Sequence, residues 1–368
     1  MSQLATATGS INLGQGFPDT DGPDIIKQAA IDAISTGHGN QYPPGPGIPE
    51  LRASVANHQR AYYGIELDPD RNVLITAGAT EAIAATLLSL LGPGDECILF
   101  EPFYDSYPAA VAMAGATVVP VTLRPPNFAP DLDELRASVS ARTKVLVVNS
   151  PHNPTGTVFD DETLRGIAAI AVEYDLVVLA DEAYEHLTFD GIVHRPISTL
   201  PGMATRTVTV GSAGKSLSFT GWKVGWATST PELISAVRTT KQFLTYVSAG
   251  PFQYAVSHGL DHLGPEYFAE LAASLAGKRD RLMAGLRSVG FDVYRPQGTY
   301  FVTADIRALS DDDGLAFCRA LPGRCGVVAV PTSVFYATPG AGSSMIRFAF
   351  CKRDEVIDEA VARLATLS

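Results

Sequence analysis

Ser212-Ala213-Gly214-Lys215-Ser216-Leu217-Ser218-Phe219-Thr220-Gly221-Trp222-Lys223 is the stretch that decides how this chain is read. It follows the β-branched run Thr207-Val208-Thr209-Val210, which reads as a buried strand. A lysine thus stands on a Gly/Ser-rich turn at a strand end. Hydroxyls flank it, and a second cation, Lys223, lies eight positions on (223 − 215 = 8). An amine so placed suits Schiff-base chemistry with a carbonyl, beside groups that can hold a phosphate. The rival reading is a solvated loop lysine, the commoner fate of a lone Lys. Three further strand ends argue against it here.

The run Leu176-Val177-Val178-Leu179-Ala180 ends in Asp181-Glu182-Ala183-Tyr184. An ionised Asp181 can pair with the ring nitrogen of a pyridine cofactor and keep it protonated, and Tyr184 can bond a ring oxygen. Alternatively Asp181 caps a turn or a helix. A second run, Lys144-Val145-Leu146-Val147-Val148-Asn149, leads into Ser150-Pro151-His152-Asn153-Pro154-Thr155-Gly156, a rigid turn by its prolines and glycine. The Asn153 amide offers both a donor and an acceptor, to a ligand or to the turn itself. His152 reads as a packing residue. The third run, Asn72-Val73-Leu74-Ile75-Thr76, is followed by Ala77-Gly78-Ala79-Thr80-Glu81 and an apolar helical pattern. Strand, glycine turn and helix start make an anion site, with or without a ligand. Cys97-Ile98-Leu99-Phe100 also leads into Glu101-Pro102-Phe103-Tyr104-Asp105-Ser106-Tyr107, whose aromatics suit either a flat ring or the core.

Taken together, these blocks resemble the fold type I pyridoxal 5′-phosphate aminotransferases of class I/II, and within them the kynurenine and glutamine transaminase group. Further blocks carry the resemblance: Ile11-Asn12-Leu13-Gly14-Gln15-Gly16-Phe17-Pro18-Asp19, Asn40-Gln41-Tyr42 and Ile346-Arg347-Phe348. It spans nearly the whole chain. The stretches Asn40 to Gly47 and Glu101 to Tyr107 also look like actinobacterial members assigned to N-succinyldiaminopimelate, in lysine biosynthesis.

The resemblance implies pyridoxal 5′-phosphate as cofactor. Lys215 would form the Schiff base and later move the proton. Asp181 would pair the ring nitrogen, Tyr184 and Asn153 the ring oxygen, and Tyr104 would stack on the ring. Ala79, Thr80, Ser212 and Lys223 would hold the phosphate. Tyr42 would reach the phosphate of a neighbouring subunit, which implies a homodimer with shared active sites. Arg347 would clamp the substrate carboxylate with a fork that an ammonium lacks, and Gly16 would line the substrate side. Two departures bear on substrate. Ten residues precede Ile11, fewer than the family usually carries, so the substrate mouth is expected to differ. The loop Tyr246-Val247-Ser248-Ala249-Gly250-Pro251 lacks the bulky aromatic and His of animal kynurenine-type members.

The 368 residues allow two domains, and 46% hydrophobic with 18% charged residues fits a globular enzyme. A net charge of −12 argues against a nucleic-acid partner, whose phosphates need a basic stripe. No apolar run approaches the ~20 residues that span a bilayer, and the start lacks a signal-peptide pattern. Cys97, Cys318, Cys325 and Cys351 form no metal-ligand spacing, so no metal is expected; two of them lie in apolar strand-like runs, and a reducing cytoplasm fits.

Between about 71 and 215, apolar strands alternate with amphipathic segments. That predicts an α/β fold with a mostly parallel sheet and helices on both faces, binding ligands at the carboxyl ends of its strands. Ala227-Thr228 is expected to close one more strand. A helix from Glu266 to Val289 leads to strands near 291–293, 299–304, 327–331 and 345–350, expected to form the sheet of a smaller α+β domain. The expected boundaries are 41–264 for the large cofactor-binding domain, and 1–40 with 265–368 for the small one.

The leading reading is ping-pong transamination between an L-amino acid and a 2-oxo acid. N-succinyl-LL-2,6-diaminopimelate with 2-oxoglutarate/glutamate is the expected pair. The alternatives are a broad kynurenine, glutamine or methionine aminotransferase, or a β-lyase on cysteine S-conjugates; no single residue separates them. A nicotinamide dehydrogenase is not expected, because no GxGxxG follows a strand. Nor is a regulator, which would need an N-terminal helix-turn-helix domain.

Overall fold

Seven strands form the larger sheet, in the order Val73–Thr76, Gly225–Thr228, Thr207–Ser212, Val177–Asp181, Thr143–Asn149, Glu96–Glu101 and Thr117–Thr122. Gly225–Thr228 runs antiparallel to both neighbours, and the other pairings are parallel. The structure is a computed structural model that describes residues 1–367. Along Thr143–Asn149, Leu146 and Val148 join one core cluster with Ile98 and Val178. Val145 and Val147 join another, with Leu99 and Leu179. That is the period of two of a pleated strand. Apolar residues on both faces explain the unbroken hydrophobic runs, since helices cover the sheet on each side.

A four-stranded antiparallel sheet follows in the chain, in the order Val330–Pro331, Met345–Ala349, Phe301–Asp305 and Asp292–Tyr294. The helix Pro265–Val289 packs on this unit through Leu275, Leu282, Met283 and Leu286, and Gly290 ends it with φ of 104°. The run near 327–331 was expected to be one strand of this sheet. It divides instead: Val327–Val328 pairs in parallel with Ile11–Asn12, and only Val330–Pro331 joins the four-stranded sheet. The split carries the N-terminal segment across the protein, so that the Leu13 carbonyl accepts the Ala349 N–H at 2.6 Å.

The helix Asp24–Thr36 lies elsewhere. Its Ile26 and Ala30 pack with Leu51, Trp226 and Ala255, beside the larger sheet. A buried carboxylate ties the two sheets together. Glu101, the last residue of its strand, accepts from the Thr122 hydroxyl at 2.8 Å and from the Ala337 and Thr338 N–H groups at 2.7 and 3.1 Å.

Candidate active site

The strand ends of the larger sheet open onto one cavity of about 300 Å³. Ala79, Thr80, Ser212 and Lys223 line it together with Lys215, Asp181, Tyr184 and Tyr104. Gly16, Asn153 and Arg347 come from the side of the smaller sheet and the proline turn. Of the residues singled out in the sequence only Tyr42 stands apart. It is 81% exposed, and its ring meets Tyr246 edge-on at 5.6 Å.

The anion end is built by local backbone geometry. Gly78 opens the helix Gly78–Leu90 with φ of 72°, a conformation that favours glycine. No side chain caps this helix start, so the first-turn N–H groups and the helix dipole are left facing Ala79 and Thr80. Lys223, itself at φ of 54°, turns its Nζ to within 3.3 Å of Thr80 Oγ1. A Cβ on Gly78 would stand 3.3 Å from the Lys223 side chain, so glycine also leaves that end open.

Asp181 is buried at the end of its strand. Burial pushes its carboxyl above the usual range, against the pull of the Tyr107 hydroxyl at 2.5 Å and the Ala183 N–H at 3.1 Å. The second bond is a turn-capping contact, so Asp181 fills the capping role and faces the cavity as well. Sheet register then places Asn153. Asn149 pairs with Asp181 across two parallel strands, and its Nδ2 donates to the Asp181 carbonyl at 2.8 Å. Its Oδ1 accepts the Asn153 N–H at 2.8 Å. His152 is buried with Nδ1 2.8 Å from Thr155 Oγ1, and burial pushes it down to about 3, so it stays neutral as a packing residue.

Lys215 lies in the short helix Ala213–Ser216. Its Nζ donates to the Tyr300 hydroxyl at 2.6 Å, and Tyr300 donates onward to the Gly16 carbonyl at 2.5 Å. Burial pushes the Lys215 amine down to about 8. The Tyr184 ring stands edge-on to Tyr300 at 5.3 Å, with Lys215 Nζ 5.5 Å from its centre. Tyr104 meets Tyr107 edge-on at 5.7 Å. A Cβ on Gly16 would fall 2.3 Å from the Phe301 ring, so only glycine lets this loop close on the site.

Arg347 is central in its strand and buried. Its Nη1 donates to Asn153 Oδ1 at 3.0 Å and its Nη2 to the Gly14 carbonyl at 3.1 Å, while Nε has no partner. The guanidinium lies 4.0 Å from the centre of Phe301 and 4.8 Å from that of Phe335. Donors therefore remain for an anionic guest. A buried N–H without a partner is costly, and a carboxylate in the cavity would remove that cost.

Tyr107, Tyr300, Asn149, Phe301 and Phe335 were not singled out from sequence. Tyr107 sits within the aromatic block after Glu101, and Asn149 ends a strand, so both carried a local signal. Tyr300 and Phe335 carried none, because their neighbours in the site lie far away along the chain.

Residues 8–364 match the aminotransferase class I and II family. The chain belongs to that family and is an aminotransferase. Its fold is that of the family's solved structures. The chain is 52% identical to a protein of Mycobacterium tuberculosis named probable N-succinyldiaminopimelate aminotransferase DapC, over all of this chain and 95% of that one. The solved structure of N-succinyldiaminopimelate aminotransferase from the same organism superposes with a TM-score of 0.98, covering 100% of this chain and 96% of that one. This aminotransferase is also 36% identical to the methionine aminotransferase of Escherichia coli, over its whole length and 94% of that protein. No helix among the described residues is long and apolar enough to cross a membrane.

Proposed function

We propose that this aminotransferase is pyridoxal 5′-phosphate-dependent and exchanges the amino group of N-succinyl-LL-2,6-diaminopimelate with 2-oxoglutarate/glutamate. The observation that carries the reading is the meeting of Lys215, Asp181 and Arg347 in one cavity with an uncapped helix start at its end. The donor set fits the cofactor. Thr80, Ser212, Lys223 and the N–H groups at Ala79 would hold its phosphate, and Asp181 its ring nitrogen. Asn153 and Tyr184 would hold its ring oxygen, and Tyr104 one ring face. When bound, the cofactor supplies a carbonyl for an amine and an electron-withdrawing ring for the electron pair at the substrate α-carbon.

This chain's residues do the rest. With the Lys215 amine brought down to about 8, roughly a tenth is neutral at pH 7, and that fraction can act as a nucleophile or accept a proton. Tyr300 holds Nζ in place and is itself held by the Gly16 carbonyl. Asn153 and Gly14 orient the Arg347 fork toward the substrate carboxylate, and Phe301 and Phe335 shield it from water.

The amino donor is read from the 52% relationship, and methionine is the second reading, from the 36% one. A β-lyase activity on cysteine S-conjugates would use the same residues. Purified protein should be yellow and should transfer the amino group of N-succinyldiaminopimelate to 2-oxoglutarate faster than that of methionine, glutamine or kynurenine. A colourless protein that binds no pyridoxal phosphate would overturn the cofactor assignment. Methionine or kynurenine as the fastest donor would overturn the substrate. The exposed Tyr42 supports a homodimer whose partner completes each site, and the composition supports a cytoplasmic location. The two sheets support two domains, and the helix Asp24–Thr36, which packs on the larger one, argues for a first boundary before Asp24 instead of near 40.

A further inference from the structure

Three residues with metal-binding side chains meet outside the cavity. His58 comes from the helix Pro49–Tyr63, and Glu185 and His186 from the turn that follows Asp181. Their ligand atoms all lie within 4.8 Å of one another. The two Nε2 atoms are 2.7 Å apart, so one ring donates its proton to the other. Glu185 is 4% exposed, yet its Oε2 has no hydrogen-bond partner.

That unpartnered oxygen is the informative feature. A buried carboxylate oxygen beside two imidazoles is costly when unsatisfied, and native structures leave few such groups without a function. The rings are also fixed in place. His186 stacks on Phe268 with centroids 3.8 Å apart, and His58 packs against Tyr62 at 4.7 Å. His186 is the least buried of the three and gives access from solvent.

We propose that His58, Glu185 and His186 form a binding site for a divalent first-row transition-metal cation, of which zinc is the type. Two neutral imidazoles and one carboxylate are a donor set that zinc accepts, with water in the fourth position. Ligand atoms about 2.1 Å from one ion are at most ~4.2 Å apart, so small side-chain rotations suffice. On binding, the ring that carries its proton on Nε2 takes up the Nδ1–H tautomer by exchange through solvent, so both neutral rings present an Nε2 lone pair to the ion. The site would pin the helix Pro49–Tyr63 to the turn carrying Asp181 and Tyr184. The spacing is invisible in sequence, because His58 and His186 are 128 positions apart.

The test uses zinc chloride and the full-length protein as purified, stripped with a chelator, dialysed and titrated by calorimetry, with metal content measured afterwards. One zinc per chain is expected. His58→Gln and Glu185→Gln should each weaken binding by more than the ~10–100-fold that losing an outer hydrogen-bond partner costs. Lys215→Ala should leave zinc affinity unchanged, which separates this site from the cavity. Glu185→Gln keeps the side-chain shape, so it decides the matter if His58→Gln does not fold. No zinc retained by the native chain, or full retention in Glu185→Gln, overturns the proposal.

Discussion

Tyr107 donates its hydroxyl to the Asp181 carboxylate at 2.5 Å, inside the core. The bond favours the ionised acid against a burial that works to protonate it. Ionised Asp181 is the form that can hold a protonated ring nitrogen, so in the proposed site Tyr107 would act on the cofactor through Asp181.

Tyr107→Phe should therefore move the acid limb of the pH profile of kcat upward. Hydrogen bonds to charged groups contribute roughly 1.5–3 kcal/mol. At about 1.4 kcal/mol per pH unit, the limb should move by about one to two units. A profile that falls in amplitude without moving would show that Tyr107 only packs beside Asp181.

Lys215→Ala should remove the yellow colour and lower turnover by several orders of magnitude, since no other amine lines the cavity except Lys223 at its anion end. Near-native turnover in this variant would end the assignment of Lys215.

In the cofactor-free protein the Lys215 amine also sets a pH dependence of stability. Its folded value, about 8, lies below the ordinary 10.5, so the folded state binds fewer protons between them. Stability must then rise as pH goes from about 8 to 10.5, by up to ~3.5 kcal/mol (2.5 units at about 1.4 each). The check is the difference in unfolding free energy between the native chain and Lys215→Met. The native chain should gain on the variant across that window, and a constant difference would refute the burial argument.

Tyr300→Phe deletes both the acceptor for Lys215 Nζ and the tie to the Gly16 carbonyl. Turnover should fall by about one to two decades, the equivalent of one bond to a charged group. Cofactor content should hold near one per chain. Loss of the cofactor instead would place Tyr300 in binding rather than in positioning the amine.

Tyr42→Phe should weaken cofactor affinity by about one to two decades if its hydroxyl reaches a partner's phosphate. Mixing Tyr42→Phe with Lys215→Ala chains tests the sharing. The only working Lys215 in the heterodimer then receives a native Tyr42 from the other chain, and affinity should return to the native value. A monomeric active species, or no rescue, would exclude a shared site.

The parts of this site legible in the sequence are those made by local chemistry. A glycine at positive φ, an uncapped helix start, a carboxylate closing an apolar run and a lysine on a Gly/Ser turn are each set by a few neighbouring residues. Strand periodicity likewise determined the parallel sheet and the strand ends where Asp181, Asn149 and Ser212 stand. Tertiary structure alone decided the rest. Tyr300 meets Lys215 only because Phe301–Asp305 pairs with Met345–Ala349 and the N-terminal segment crosses to lay the Gly16 carbonyl beside it. The run near 327–331 split between two sheets because Ile11–Asn12 offered a second partner edge, which hydrophobicity cannot encode. Arg347 could have been a sheet-edge charge by sequence. Its burial against Phe301 and Phe335 depends on Glu101 holding the 335–338 segment to the larger sheet, a contact across more than two hundred residues. Side-chain type and local spacing specify what a residue can do; which groups it meets is set by packing between distant segments.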